Sequence, residues 1–121
     1  MKRDPELIRL ILKDLQEIPL GEIIEDAKYH DRYDDAIVRE HMRLLIEEGF
    51  VLGITQSDRG KISHVSLEKL TWKGHDFFDA AQDNSVWQKA KEVVLKPGIS
   101  FTWDILLEWL KDEAKLKLGL P

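Results

Sequence analysis

Six basic side chains stand where a nucleic-acid contact could be built: Lys28, Arg32, Arg39, Arg43, Arg59 and Lys61. Arg39 and Arg43 are four residues apart and share a face if that stretch is helical. One helix fits the major groove, a guanidinium pairs with guanine or phosphate, and a hairpin tip can touch the backbone. Carboxylates run through the same region. From residue 28 to 43 four Lys/Arg meet four Asp/Glu, at Asp31, Asp34, Asp35 and Glu40. The alternative reading of this face is therefore a solvated surface of mixed charge.

Other chemistry has less to work with. Histidines stand at 30, 41, 64 and 75, and His75 with Asp79 has the i, i+4 spacing that puts two ligands on one helical face. No further ligand set accompanies them, so no metal and no cofactor are expected. His41 lies between Ile37 and Leu45 on an apolar face and reads as a packed histidine with one hydrogen-bond partner. There is no nucleophile elbow, phosphate loop or HExxH, and no catalytic residue or small-molecule substrate is expected. The absence of cysteine removes disulfides, thiol catalysis and Cys-based metal sites.

The chain of 121 residues carries 18 Lys/Arg against 23 Asp/Glu, a net charge of −5. Residues 1–60 hold 9 basic and 14 acidic side chains, and residues 61–121 hold 9 of each. Dedicated nucleic-acid binders usually carry a basic excess, because phosphate neutralisation supplies much of their affinity. Any DNA role must then rest on a local patch or on a dimer. No apolar run could span a bilayer, and no signal-peptide pattern opens the chain, so no membrane partner and a cytoplasmic location are expected.

The elements that must position these residues follow from spacing. Asp4 as N-cap, Pro5 and Glu6 open a first helix. Leu7, Ile8, Ile11, Leu12, Leu15 and Ile18 give it a wide apolar face, and Pro19 stops it. Residues 20–32 admit either a short helix lined by Ile23, Ile24 and Ala27, the preferred reading, or a short strand from Leu20 to Ile24. Asp34 or Asp35 opens a helix to about Glu48, with Ile37, Val38, His41, Met42, Leu44 and Leu45 inward and Arg39, Glu40 and Arg43 outward. Gly49 ends it in the left-handed region.

Then the period changes to two, Phe50, Leu52 and Ile54 alternating with Val51, Gly53 and Thr55. Gln56 to Gly60 reads as a polar turn, and Ile62 to Leu70 as the second strand of a hairpin. Thr71 caps a helix that offers Trp72, Phe77, Phe78 and Ala81 for burial. Val86, Trp87, Ala90, Val93 and Val94 continue it to a break at Lys96-Pro97-Gly98. A last helix begins near Ser100 or Thr102. It carries Phe101, Ile105, Leu106, Trp109 and Leu110, then Leu116, Leu118 and Leu120, and is apolar enough to pack on the first helix or on a second subunit.

The order helix, short helix, helix, Gly, hairpin is that of a winged helix-turn-helix. Leu44-Leu45-Ile46-Glu47-Glu48-Gly49-Phe50-Val51 is similar to the exit from a recognition helix into the wing. Leu70-Thr71-Trp72-Lys73-Gly74 is similar to the step that ends the wing. Together with Met1 to Arg9, His41 to Leu45, His75 to Asp79 and Val86-Trp87, these stretches resemble the bacterial and prophage domain family of unknown function numbered 2513, over about residues 1–95. The resemblance implies a winged-helix-like fold and a phage or mobile-element context. It implies no activity, and so supplies no catalytic residue.

The expectation is an α+β, mainly α chain. It is a single winged-helix-like domain over 1–121, its core about 1–83 and a C-terminal helical extension about 84–121, with a β-hairpin wing. The expected function is a DNA-binding or regulatory module without catalysis, with double-stranded DNA or a second copy held through the C-terminal helix as candidate partners. The alternative is an adaptor that binds protein and not DNA. If Arg39 and Arg43 are groove contacts only, replacing both by Ala weakens duplex binding and flattens its salt dependence, with the melting temperature nearly unchanged.

Overall fold

Asp4 does what its position requires. In the computed structural model, which describes all residues except 97, 99, 120 and 121, its carboxylate accepts from the Glu6 and Leu7 amides and opens α1, Pro5–Glu17. The helix buries Leu7, Ile8, Ile11, Leu12 and Leu15. Asp34 caps α2, Asp35–Glu48, in the same way, and Gly49 ends it at φ 82°. The buried face of α2 is Val38, His41, Met42 and Leu45, whereas Ile37, expected inward, is exposed and Leu44 is half-buried. His41 is fully buried with two partners instead of one. Its Nδ1 lies 2.8 Å from the Ile37 carbonyl, and its Nε2 accepts the Asp4 backbone N–H at 2.8 Å. A backbone amide can only donate, so the ring proton is on Nδ1.

The stretch left open by the sequence contains both kinds of element. Ile24–Glu25 forms strand β1, and Asp26–Tyr29 a 3-10 helix. Of the preferred lining residues Ile24 is buried but Ile23 and Ala27 are exposed, and Asp26 and Tyr29 are buried in their place. Pro19 and Gly21, the latter at φ 87°, prevent a continuous helix. Tyr29 is anchored by donating its hydroxyl to Asp14 at 2.7 Å.

Strands β2, Val51–Asp58, and β3, Lys61–Leu70, pair antiparallel, with β1 on the other side of β3. The turn is shorter than Gln56 to Gly60. Only Arg59 and Gly60 lie outside the strands, both at positive φ (53° and 80°), as a two-residue hairpin connection requires. Pairing runs from Val51 opposite Leu70 to Asp58 opposite Lys61 and skips Glu68 and Ser63. Both bulges therefore put their extra residue in β3. Val51, Val65, Leu67 and Leu70 are buried, while Leu52 and Ile54 point outward at 45% and 68% exposure.

The Leu-Thr-x-x-Gly step is a contact between the hairpin and the end of α2. Thr71 donates its hydroxyl to the Gly49 carbonyl and accepts from the Gly74 amide, and its own amide donates to the Phe50 carbonyl. Lys73 donates to the Glu48 carbonyl and carboxylate, each at 3.0 Å. These residues begin helix α3, Trp72–Ala81. Trp72 itself, expected in a core, is 88% exposed.

The chain divides into compact units at 1–75 and 76–121. In the second, Asp83 caps α4, Asn84–Val93, and Thr102 caps α5, Trp103–Lys117. Val86, Trp87, Ala90, Leu106 and Leu110 are buried, and Phe77 meets Trp103 edge to face at 5.6 Å. Val93, Ile105, Leu116 and Leu118, read as part of apolar faces, are exposed; Leu120 lies outside the described residues. The architecture is α+β and mainly helical, five α-helices with a three-stranded antiparallel sheet among the described residues. None of its helices is long and apolar enough to cross a membrane.

A Cβ at Gly74 would stand 2.0 Å from the Phe50 carbonyl oxygen. Gly74→Ala should cost roughly 2–3 kcal/mol by forcing α3 off the hairpin. Urea unfolding checks it, and an unchanged midpoint would refute the close approach.

Candidate nucleic-acid interface and its surroundings

Three of the six cations line one cleft. An open cleft between α2 and the hairpin tip is lined by Arg39, Arg43 and Lys61, with Ala36, Glu40, Gly60 and Ile62. Lys28 on the 3-10 helix, Arg32 in the following loop and Arg59 in the turn lie outside that lining. Three of the expected residues line the cleft, and three do not.

The two arginines in the cleft have carboxylate neighbours. Arg43 donates to Glu40, through Nε at 2.9 Å, and also to Glu47. The Arg43 guanidinium holds Glu40 below the usual carboxylate range, and Glu40 in turn raises Arg43 further. Arg39 is turned inward onto Asp26, Nη1 to Oδ2 at 3.1 Å, with only 23% of its side chain exposed. Its role is thus partly structural, which argues that replacing Arg39 and Arg43 together lowers the melting temperature.

Asp26 is the group the sequence did not flag. Its side chain is 6% exposed and accepts from Arg39 and from the Val65 amide at 3.3 Å, while His64 Nδ1 stands 2.8 Å from Oδ1. Burial pushes its pKa up, but Arg39, the Val65 and Asp26 amides and His64 outweigh that and hold it below the ordinary range. No local pattern marks it, because its partners lie 13 and 39 residues away. The only local sign is an acid set between Ile24 and Tyr29 in a stretch without helical periodicity.

His64 Nε2 lies 3.0 Å from Ser66 Oγ, completing a hydroxyl–imidazole–carboxylate chain. In acyl transfer that order moves a proton, but the reaction also draws on preorganised donors for the oxyanion. Here Asp26 is directed at Arg39 and the Val65 amide, and Ser66 sits on the central strand, opposite Ile54 and Glu25. The chain of contacts clasps the 3-10 helix and α2 to β3. Among the described residues no group of three or more His, Asp or Glu could hold a metal ion.

A larger open groove of about 1110 Å³ lies elsewhere in the first unit. Ile18, Leu20, Ile23, Leu52, Ile54 and His75 are among its lining residues. Leu20 is fully exposed and Ile23 is 52% exposed. Sequence reasoning missed this surface because the apolar alternation of β2 looks the same whichever face is buried.

Asp26 titrates lower folded than unfolded, so its contribution is fully present above the ordinary carboxylate range and is lost as pH falls through the folded-state value. Asp26→Asn should cost about 3 kcal/mol near neutrality, and Arg39→Ala a similar amount, because each leaves a buried partner uncompensated. Arg43→Ala should cost less than about 1 kcal/mol, as for an exposed pair. Urea unfolding between about pH 5 and pH 2 tests the assignment, since the Asn variant should lose less stability than the wild type on acidification. Parallel profiles would refute it.

Comparison with known proteins places these features in a family. A model described as hypothetical protein DUF2513 matches residues 2–100. A protein of Haemophilus influenzae strain Rd, described as uncharacterised, is 29% identical over 108 residues, covering 88% of this chain and 89% of its own. No solved structure matches the chain. The match over residues 2–100 takes in both compact units in whole or in part, and on it the chain belongs to the DUF2513 family.

Proposed function

We propose that the chain is a small, non-catalytic winged-helix regulatory module of the cytoplasm, in a phage or mobile-element context, and that it works by protein contact. The order α1, β1, 3-10 helix, α2, β2, β3 supports the winged-helix reading, with α2 in the place of the recognition helix and β2–β3 as the wing. The 3-10 helix takes the place of the second helix of the helix-turn-helix. Fold does not decide function, and winged helices serve nucleic acid and protein alike.

The carrying observation is a contrast between two surfaces. In the cleft, Arg39 and Arg43 already have carboxylate partners, so phosphate competes there with Asp26, Glu40 and Glu47. In the groove, Leu20, Ile23, Leu52 and Ile54 are uncovered, and Trp72 lies three residues before the groove residue His75 on α3. Exposed apolar patches with an aromatic anchor are the mark of protein interfaces. The partner is a protein segment that presents apolar side chains.

DNA contact is the second reading. It is favoured by the convergence of Arg39, Arg43 and Lys61 beside the hairpin tip. Fluorescence anisotropy of a mixed-sequence duplex, at low and at physiological salt, separates the two. The protein-contact reading expects no saturable binding at low salt by folded protein. Saturable binding that weakens steeply with salt would overturn it in favour of phosphate neutralisation.

A further inference from the structure

We infer that the outer edge of β2 pairs antiparallel with the β2 edge of a second copy of this chain. The inference rests on reading this surface as a protein contact, and it names the partner. Strand β2 has β3 on one side only, so its other side presents a row of unpaired backbone N–H and C=O groups. Soluble proteins block such edges with lysine, proline, bulges or short strands.

The opposite edge of this sheet follows that rule. Strand β1 is two residues long and ends in Glu25. Strand β2 does not follow it. Its eight residues contain no proline, and the first seven, Val51–Ser57, contain no charge. Both bulges place their extra residue in β3, which leaves β2 regular from end to end. Every residue from Ile54 to Asp58 is exposed.

A second copy suits this edge because the strand is complementary to itself. In an antiparallel register centred on Ile54, Leu52 faces Gln56, Gly53 faces Thr55 and Val51 faces Ser57 of the other copy. Asp58 falls opposite Phe50, so no two carboxylates meet. The two Ile54 side chains lie side by side, where cross-strand contact between β-branched residues is favourable. Ile54 is 68% exposed and Leu52 is 45% exposed, and this pairing sets Ile54 of the other copy beside the first and Gln56 beside the second. A two-fold axis makes the contact closed, so it stops at a dimer.

The test uses the full chain in sedimentation equilibrium. The wild type should pass from one chain mass to two as concentration rises, and Ile54→Lys should stay at one chain mass with an unchanged circular dichroism spectrum. Since the chain has no cysteine, Ile54→Cys gives a single thiol at the centre of the register, and mild oxidation should yield a covalent dimer. Asp58→Cys should not crosslink, because the two copies of that position are roughly 27 Å apart in this register. A wild type of one chain mass at every concentration overturns the pairing, as does a dimer that survives Ile54→Lys or crosslinks through position 58 and not 54. Those failures leave the protein-contact reading to the duplex titration, which does not depend on oligomeric state.

Discussion

A carboxylate taken out of water has to be met by the elements around it, and Asp26 sets that demand here. Desolvating an ion costs several kcal/mol even after relaxation, so the site holds together only if every lone pair finds a donor. The donors come from separate parts of the chain: Arg39 from α2, and the Val65 amide and His64 from β3. Removing one leaves the others facing an uncompensated charge. The 3-10 helix, too short to be stable alone, is thereby fixed against the sheet. The same pairing commits the guanidinium that a groove-reading helix would present, so structural need and DNA contact compete for one side chain.

A second clasp joins the hairpin to the end of α2. Gly49 turns the chain, Thr71 bonds its carbonyl, and Gly74 lets α3 approach the Phe50 carbonyl to a distance no side chain allows. Gly53 does the same within the sheet, where a Cβ would stand 2.5 Å from the Ser66 carbonyl oxygen. The residues that make the Leu-Thr-x-x-Gly step recognisable are thus explained by packing. None of them needs a ligand to account for it.

How much could be read beforehand follows from which signals are local. Caps are local: Asp4, Asp34 and Gly49 stand next to the elements they open or close, and α1 and α2 were legible to within a residue or two. The hairpin was legible as well, since its period and turn lie in one short stretch. What failed was non-local. Asp26 depends on partners far along the chain, the 3-10 helix on Tyr29 reaching Asp14, and the outward face of β2 on which side of the sheet the core lies. Apolar character puts Trp72 and Ile37 inside, but it does not by itself say which side of a helix the core lies on. The six candidate cations could be named from spacing, as could the carboxylates beside Arg43, but Asp26 as the partner of Arg39 could not, because that pair depends on how the 3-10 helix meets α2 in space.

The bulges connect the fold to the surface most in need of a partner. Along β3, inward Val65 and Leu67 would by strict alternation be followed by an inward Lys69. The extra residue at Glu68 shifts the pattern, so that Leu70 enters the core opposite Val51 while Glu68 and Lys69 stay in water. Strand β2 has no matching irregularity, so the alternation that buries Val51 and directs Gly53 inward turns Leu52 and Ile54 out. Solubility would favour polar side chains at those two positions, as at Gln56 on the same face. Apolar residues exposed on an uncharged, regular edge carry an aggregation cost. A strand partner that pairs this edge and flanks Leu52 and Ile54 lowers that cost, and this is the physical reason to look for the molecule's function at β2 before the cleft beside α2.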